Sequence, residues 1–176
     1  FSPTLQALGR WLQGCGYRFT TPTPATHARV LARSPGALAQ DLRGLFGWNL
    51  PLAADAAGAP ALHPAGATAP LLPATLAASL QGAGLLVGGS DGLWRSTVRW
   101  ATLGPLLLAH SAFPTDTADT VFFGPDTSRF ASLIKHTLAQ APLPCGARVL
   151  DMGCGSGAGG LVAAQAAQAA GGAVSE

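Results

Sequence analysis

Charged residues are scarce in this chain of 176 residues. They make up 10% of the sequence, whereas roughly a quarter is usual in globular proteins, and the formal net charge is only +2. A net charge this small does not by itself indicate a polyanionic partner. Hydrophobic residues make up 48% of the chain, which is enough to bury a core and argues against wholesale disorder.

Patterned cysteines and long apolar runs are also missing. Cys15, Cys145 and Cys154 form no C-x-x-C pair, and the four histidines lie far apart in the sequence, so we expect no metal site. An odd number of thiols is typical of a reducing, cytoplasmic environment. Apolar runs such as Leu106–Ala109 are much shorter than the roughly 20 residues of a membrane span, so we expect no membrane partner.

The first third of the chain is predicted to be helical. Ser2-Pro3 is a typical start of a first helix, and a second helix is expected from about Pro24. The apolar pattern predicts a third helix from Pro35 to Phe46. Residues Ala53 to Pro70 are rich in alanine, glycine and proline, which favours a loop or linker.

The next segment predicts a short helix and three strands. Leu76 and Leu80 lie in the helix, which leads into a first, apolar strand at GLLV. The alternating stretch LWRSTVRWATL predicts a second strand, and Gly104-Pro105 separates it from a third. Helices followed by a strand pair are typical of a winged-helix-like module. We therefore assign residues 1–112 to a helical and β-hairpin module for substrate recognition, and residues 113–176 to a second domain.

The second domain shows a different pattern. Asp126 or Thr127 is predicted to cap a helix with an apolar stripe, and ARVLDM is predicted to be an apolar strand. A glycine-rich turn and an alanine-rich helix follow, closed by Gly171-Gly172 before a new strand at AVSE. This β-α-β order predicts an α/β fold whose second domain is the start of a Rossmann-like parallel sheet.

The glycines of the turn fit two classes of cofactor. A strand, a glycine turn and a helix N-terminus direct backbone N–H groups at one place, where a ligand can approach closely. Gly153, Gly155 and Ala158 match the dinucleotide pattern, whereas Gly153, Gly155 and Gly157 match that of S-adenosylmethionine enzymes. We expect Gly159 and Gly160 to serve close packing of the helix on the sheet.

Asp151 favours S-adenosylmethionine by its charge. A carboxylate just before the glycines repels a pyrophosphate but attracts the ammonium group of S-adenosylmethionine. An alternative remains open, in which Asp151 is an acid at the end of a strand that only accepts hydrogen bonds from backbone N–H groups.

VLDMGCGSG resembles motif I of the class I S-adenosylmethionine-dependent methyltransferases. VFFGPDTSRF upstream is similar to the loop before motif I in the small-domain group, which includes protein-(glutamine-N5) and ribosomal methyltransferases; Gly124 and Ser128-Arg129 depart from that group's pattern. The resemblance implies that the motif residues surround a bound cofactor. It also implies that the upstream loop lines the same pocket or closes over it. Its residues would be Asp151, Met152, Gly153, Cys154, Gly155, Ser156 and Gly157, with Gly124, Pro125, Asp126 and Thr127.

The resemblance implies methyl transfer from S-adenosylmethionine to a nitrogen of a translation-related protein or RNA. The first module would recognise this substrate, and Arg95 and Arg99 are candidates to contact RNA phosphates unless they form a solvated strand face. The alternatives are an NAD(P)-binding oxidoreductase domain and a non-catalytic winged-helix-like binding module.

Two features of the methyltransferase family are not found in the sequence. An acid after the second strand should hold the ribose, but Glu176 comes too early in that strand, and an N-P-P-Y-type acceptor motif is absent. The chain also starts at Phe1 without a methionine. We therefore expect a chain truncated after motif I, with no catalytic residue that can be named and no activity by itself.

Overall fold

The computed structural model describes residues 2–64, 69–113, 115 and 118–169. Over these residues the fold is mixed α/β, with six helices and small antiparallel sheets. The chain divides into two compact units, residues 1–120 (unit 1) and 121–176 (unit 2), whereas the predicted boundary follows residue 112. The predicted strand at AVSE, the stop at Gly171-Gly172 and Glu176 all lie outside the described residues.

The first two predicted helices are confirmed. Helix α1 spans Pro3–Gly14, and the Ser2 hydroxyl accepts a hydrogen bond from the backbone N–H of Leu5 at 3.4 Å. Helix α2 spans Pro24–Arg33 and is capped by Thr23 in the same way. Short polar side chains before a proline therefore set both helix starts.

The prediction of a third helix from Pro35 to Phe46 is wrong for the first half of that range. Helix α3 spans only Leu42–Phe46. Gly36 has a left-handed backbone (φ +76°), and the N–H of Ala39 donates to the carbonyl of Pro51 at 2.8 Å, so tertiary pairing replaces helical bonds there. Asp41 then starts the short helix, because its Oδ1 accepts from the N–H of Gly44 at 2.6 Å.

The segment predicted to be a loop or linker carries structure where it is described. Strand β1 spans Leu52–Ala53, and Ala54 forms a bridge with Pro60. Asp55 holds the turn between them, because its Oδ1 accepts from the N–H groups of Ala57 and Ala59, both at 2.9 Å. Apart from Ala53 at the end of β1 and the bridge between Ala54 and Pro60, residues 53–64 form turns and irregular structure, so the prediction of a loop is confirmed there.

Unit 1 continues with a helix and four strands: α4 (Ala74–Gly82), β2 (Leu86–Gly88), β3 (Leu93–Ser96), β4 (Val98–Leu103) and β5 (Leu106–Ser111). One antiparallel sheet has the order β1-β3-β2, and β4 pairs with β5 in a hairpin. The stretch predicted as one strand is thus two strands in different sheets. Ser96 marks the break, because its hydroxyl donates to the carbonyl of Val98 at 2.6 Å.

Unit 1 has a continuous hydrophobic core. Helices α1, α3 and α4 and strands of both sheets contribute to it. Its largest fully buried apolar side chains are Leu8, Leu12, Leu45, Phe46, Leu52, Leu72, Leu80 and Leu86. Burial of this apolar surface is the main source of stability for the unit.

In the described part of unit 2, residues 121–169, two helices pack against each other. Helix α5 spans Pro125–Gln140 and α6 spans Ala158–Ala169, as the sequence predicts. No strand runs through Val149–Met152 in the described part of the chain, although Arg148 takes part in a single β-bridge, and Leu150 is 82% exposed. An extended segment becomes a strand only when a neighbouring strand satisfies its N–H and C=O groups.

Candidate functional site

The glycine-rich turn before α6 has an unusual backbone. Gly153, Gly155 and Gly157 all have left-handed conformations, with φ values of +71°, +51° and +76°. Cys154 and Ser156 between them do not. A Cβ atom added to Gly153 would meet nothing within 4 Å, so the glycine is needed for the backbone conformation and the space beside it is open.

The turn leads directly into the N-terminus of α6. The N–H of Gly157 donates to the carbonyl of Cys154 at 2.7 Å, and the N–H of Leu161 donates to the carbonyl of Gly157 at 3.1 Å. These bonds set the direction in which the helix leaves the turn. The first N–H groups of the helix, which have no partner within it, therefore lie beside the turn.

Asp151 lies against this helix N-terminus. Its Oδ2 accepts a hydrogen bond from the N–H of Gly160 at 2.9 Å. A Cβ atom on Gly159 would lie 2.8 Å from the same oxygen, so this glycine lets α6 pack closely against Asp151, whereas the prediction was close packing of the helix on a sheet. The backbone contact that the sequence left as an alternative role for Asp151 is present, and it engages one of the two carboxylate oxygens.

The upstream G-P-D-T segment forms the start of α5. Gly124 is the N-cap and Pro125 the first helical residue, and Thr127 Oγ1 accepts from the N–H of Gly124 at 3.3 Å. The prediction that Asp126 or Thr127 is the N-cap is therefore wrong by two or three positions, although Thr127 still contributes to the cap. Asp126 is exposed, in the first turn of the helix.

The two predicted site segments approach each other inside unit 2. A Cβ atom on Gly155 would lie 4.0 Å from both the carbonyl oxygen of Phe122 and Cγ1 of Val121. The chain just before Gly124 therefore borders the glycine turn. Side chains at Met152 and Cys154 are exposed, which leaves the outer side of the turn accessible.

An apolar groove of about 330 Å³ lies next to Asp151, and sequence reasoning missed it. Phe130 and Leu133 of α5 line one wall, with Val149 and Leu150 on the other. Phe130 belongs to the apolar stripe predicted for this helix, and it is 51% exposed. A periodic apolar pattern shows which face of a helix is apolar, but it does not show how completely that face is covered.

Arg95 and Arg99 are not presented together on one strand face. Arg95 Nη2 lies 2.6 Å from Asp91 Oδ2, and this hydrogen-bonded pair lowers the pKa of Asp91 to about 2. Arg99 is only 5% exposed and donates from Nε to the carbonyl of Gly47 at 2.8 Å. The hypothesis that this pair contacts RNA phosphates is therefore wrong.

Within the described part of the chain, no cluster of three or more histidine, cysteine or acidic side chains is arranged to hold a metal ion. No helix there is both long and apolar enough to cross a membrane. Comparison of the chain with protein-family models, curated proteins and solved structures gives no match.

Proposed function

We propose that this chain belongs to an S-adenosylmethionine-dependent methyltransferase that acts on a nitrogen of a translation-related protein or RNA. Unit 2 would be the first part of a Rossmann-like cofactor domain, and unit 1 a winged-helix-like module that recognises substrate. The main support is the position of Asp151, which lies at the N-terminus of α6 with one carboxylate oxygen bound to Gly160.

The residues of the turn fit S-adenosylmethionine in their chemistry. A Cβ atom at the left-handed Gly153 would meet nothing within 4 Å, so a ligand has room to approach the backbone there. Asp151 has a second oxygen, Oδ1, that can accept from an ammonium group. When bound, S-adenosylmethionine would supply an activated methyl group.

The same position argues against the rival NAD(P) function. A dinucleotide pyrophosphate normally binds at the helix N-terminus that follows the glycine turn. Here the carboxylate of Asp151 already occupies the N–H of Gly160 and brings negative charge to that helix end. A pyrophosphate would meet this charge at close range, which is unfavourable.

The roles of the chain's residues are binding and orientation. Asp151 would hold the ammonium group of the cofactor, and the turn glycines would let the ligand contact the backbone. The segment at Gly124–Thr127 would border the ligand from the other side, because Phe122 lies beside Gly155. For a displacement at a methyl carbon, alignment of the reactants is the main requirement.

Isothermal titration calorimetry of the chain tests this proposal with S-adenosylhomocysteine and NADH as ligands. We expect S-adenosylhomocysteine to bind more tightly. Asp151→Ala should weaken that binding by about 1–3 kcal/mol, the size of a lost hydrogen bond to a charged group. Tighter binding of NADH would overturn the proposal.

Asp151→Asn is the control for Asp151→Ala, because it separates the charge of Asp151 from its hydrogen bond to the backbone. It keeps an oxygen that accepts from Gly160 but removes the charge. If the charge holds the ligand, the asparagine variant loses affinity while α6 keeps its protection from amide exchange. If Asp151 only stabilises the helix, the asparagine variant binds like the parent chain, and the assignment of Asp151 to the ammonium group is wrong.

A further inference from the structure

Two adjoining grooves on unit 1 share a basic wall. Their volumes are about 500 Å³ and 600 Å³, and both are lined by Arg18, Gln40, Asp41 and Arg43. These grooves lie outside the glycine turn. We propose that unit 1 binds a single-stranded nucleic acid here, with phosphates at Arg18 and Arg43.

Charge is concentrated in this part of the chain. Residues 1–50 contain five arginines and one acidic residue, whereas residues 51–176 contain five basic and seven acidic residues. The first segment therefore carries +4 and the second −2, which together give the net charge of +2. Such an asymmetry attracts a polyanion even though the total charge is small.

Arg18 and Arg43 are exposed and only weakly compensated. Arg18 Nη1 donates to the carbonyl of Gly104 at 3.1 Å, a neutral partner that positions the guanidinium without cancelling its charge. Arg43 Nε lies 3.8 Å from Asp41 Oδ2, and both side chains are more than half exposed. Asp41 is also engaged by the N–H of Gly44, so it is a poor counter-ion for Arg43.

Buried Arg99 adds positive charge behind the second groove. Its guanidinium lies 5.9 Å from the centre of the Phe19 ring, and Phe19 lines that groove. Its Nη2 has no hydrogen-bond partner among the described residues, and no described carboxylate lies within ion-pair distance. A guanidinium stays charged in a protein, and low-dielectric surroundings screen its field weakly.

Aromatic side chains complete the walls of the grooves. Trp11 lines the first groove, and Trp48 lines the second. Trp48 is held in place by His27, which stacks on it with ring centres 5.7 Å apart, and by Phe19, which meets it edge-on at 5.4 Å. Rigid aromatic walls beside a basic groove are the features with which proteins bind single strands, because bases stack while phosphates pair with arginine.

This inference deepens the proposed function, because it selects nucleic acid over protein as the substrate class. It is tested without any cofactor, so its failure is separate from failure of the methyltransferase proposal. The probe is a fluorescein-labelled twelve-residue oligouridylate, and binding to the chain is followed by fluorescence anisotropy at several salt concentrations.

We expect the affinity to fall as salt is added. A plot of the logarithm of the association constant against the logarithm of the salt concentration should have a slope of about −0.7 per phosphate contacted. Arg18→Ala and Arg43→Ala should each weaken binding about three- to tenfold and each reduce the slope by about 0.7. Arg29→Ala is the matched control, because Arg29 is exposed on α2 and lines neither groove. Circular dichroism confirms that each variant is folded.

Two further probes complete the test. A labelled oligothymidylate that binds as well as the RNA supports the proposal, since phosphates and bases are common to both. An acidic peptide of equal charge that binds more tightly than either oligonucleotide would overturn it. Equal losses of affinity in all three arginine variants would also overturn it, because binding would then depend on overall charge alone.

Discussion

Units 1 and 2 contain similar apolar residues but differ in how completely these side chains are buried. In unit 1, Leu8, Leu12 and Phe46 are almost completely buried, in a core formed by helices and sheet strands. In unit 2, Leu133 and Leu150 are exposed beside an open groove. Over the described residues of unit 2, two packed helices cover the stripes that face each other, whereas in unit 1 helices and sheet strands together close a core.

This contrast predicts that matched substitutions in the two units have unequal effects. Phe46 is 1% exposed and Phe130 is 51% exposed. Phe46→Ala should lower the free energy of unfolding by about 3–5 kcal/mol, because it removes buried surface and leaves a cavity. Phe130→Ala should cost less than about 1 kcal/mol.

Urea denaturation separates these two effects. All four tryptophans lie in unit 1, so their fluorescence follows that unit, and amide exchange in α5 follows unit 2. A loss at Phe130 as large as the loss at Phe46 would show that unit 2 has a closed core, contrary to the structure.

A second difference between the units is their expected response to acid. His110 is buried in unit 1 opposite Arg99 in the β4–β5 hairpin. Burial, with a smaller contribution from Arg99, lowers the pKa of His110 from 6.5 to about 4. The unfolded state therefore binds more protons between these values, and unit 1 should lose stability as the pH falls through this window, by roughly 3 kcal/mol in full.

The measurement is urea denaturation by tryptophan fluorescence from pH 7 to pH 4. His110→Gln should make the free energy of unfolding less dependent on pH. The control variant His63→Gln, at an exposed position, should leave this pH dependence unchanged. His27 contributes in the same direction, since burial lowers its pKa as well. If the free energy of unfolding of His110→Gln changes with pH as steeply as that of the parent chain, His110 is not the cause of the pH dependence.

The smallest predicted effect concerns the start of α5 in unit 2. Thr127→Val removes the oxygen that accepts from the N–H of Gly124 at 3.3 Å. We expect a loss of about 0.5–1 kcal/mol, seen as faster amide exchange in the first turn of α5. Thr137→Val is the same chemical change near the other end of the helix, and it should leave that first turn unaffected.

Local signals predicted much of the fold. Ser2-Pro3 and Pro24 marked two helix starts correctly, because capping depends on neighbours in the sequence. The shortened α3 and the break at Ser96 were missed, since each depends on contacts set by the tertiary fold or by one side chain. Asp41 indicated the true start of α3, because aspartate is a favoured N-cap residue.

The candidate site was partly predictable in the same way. The glycine spacing correctly marked a turn before a helix, because only glycine adopts left-handed backbone easily. The contact between Asp151 and Gly160 follows from the path of the turn, which sequence spacing does not give. The groove beside Phe130 required knowledge of how the two helices pack.

The hydrogen bond from Gly160 to Asp151 also has an entropic consequence. It joins residues nine positions apart and encloses the three left-handed glycines. Glycines lose more conformational freedom than other residues when they are ordered, and a short closed loop restricts them before any ligand arrives. A ligand at this turn therefore meets a backbone that is already ordered, so its binding should carry little entropy cost from the turn.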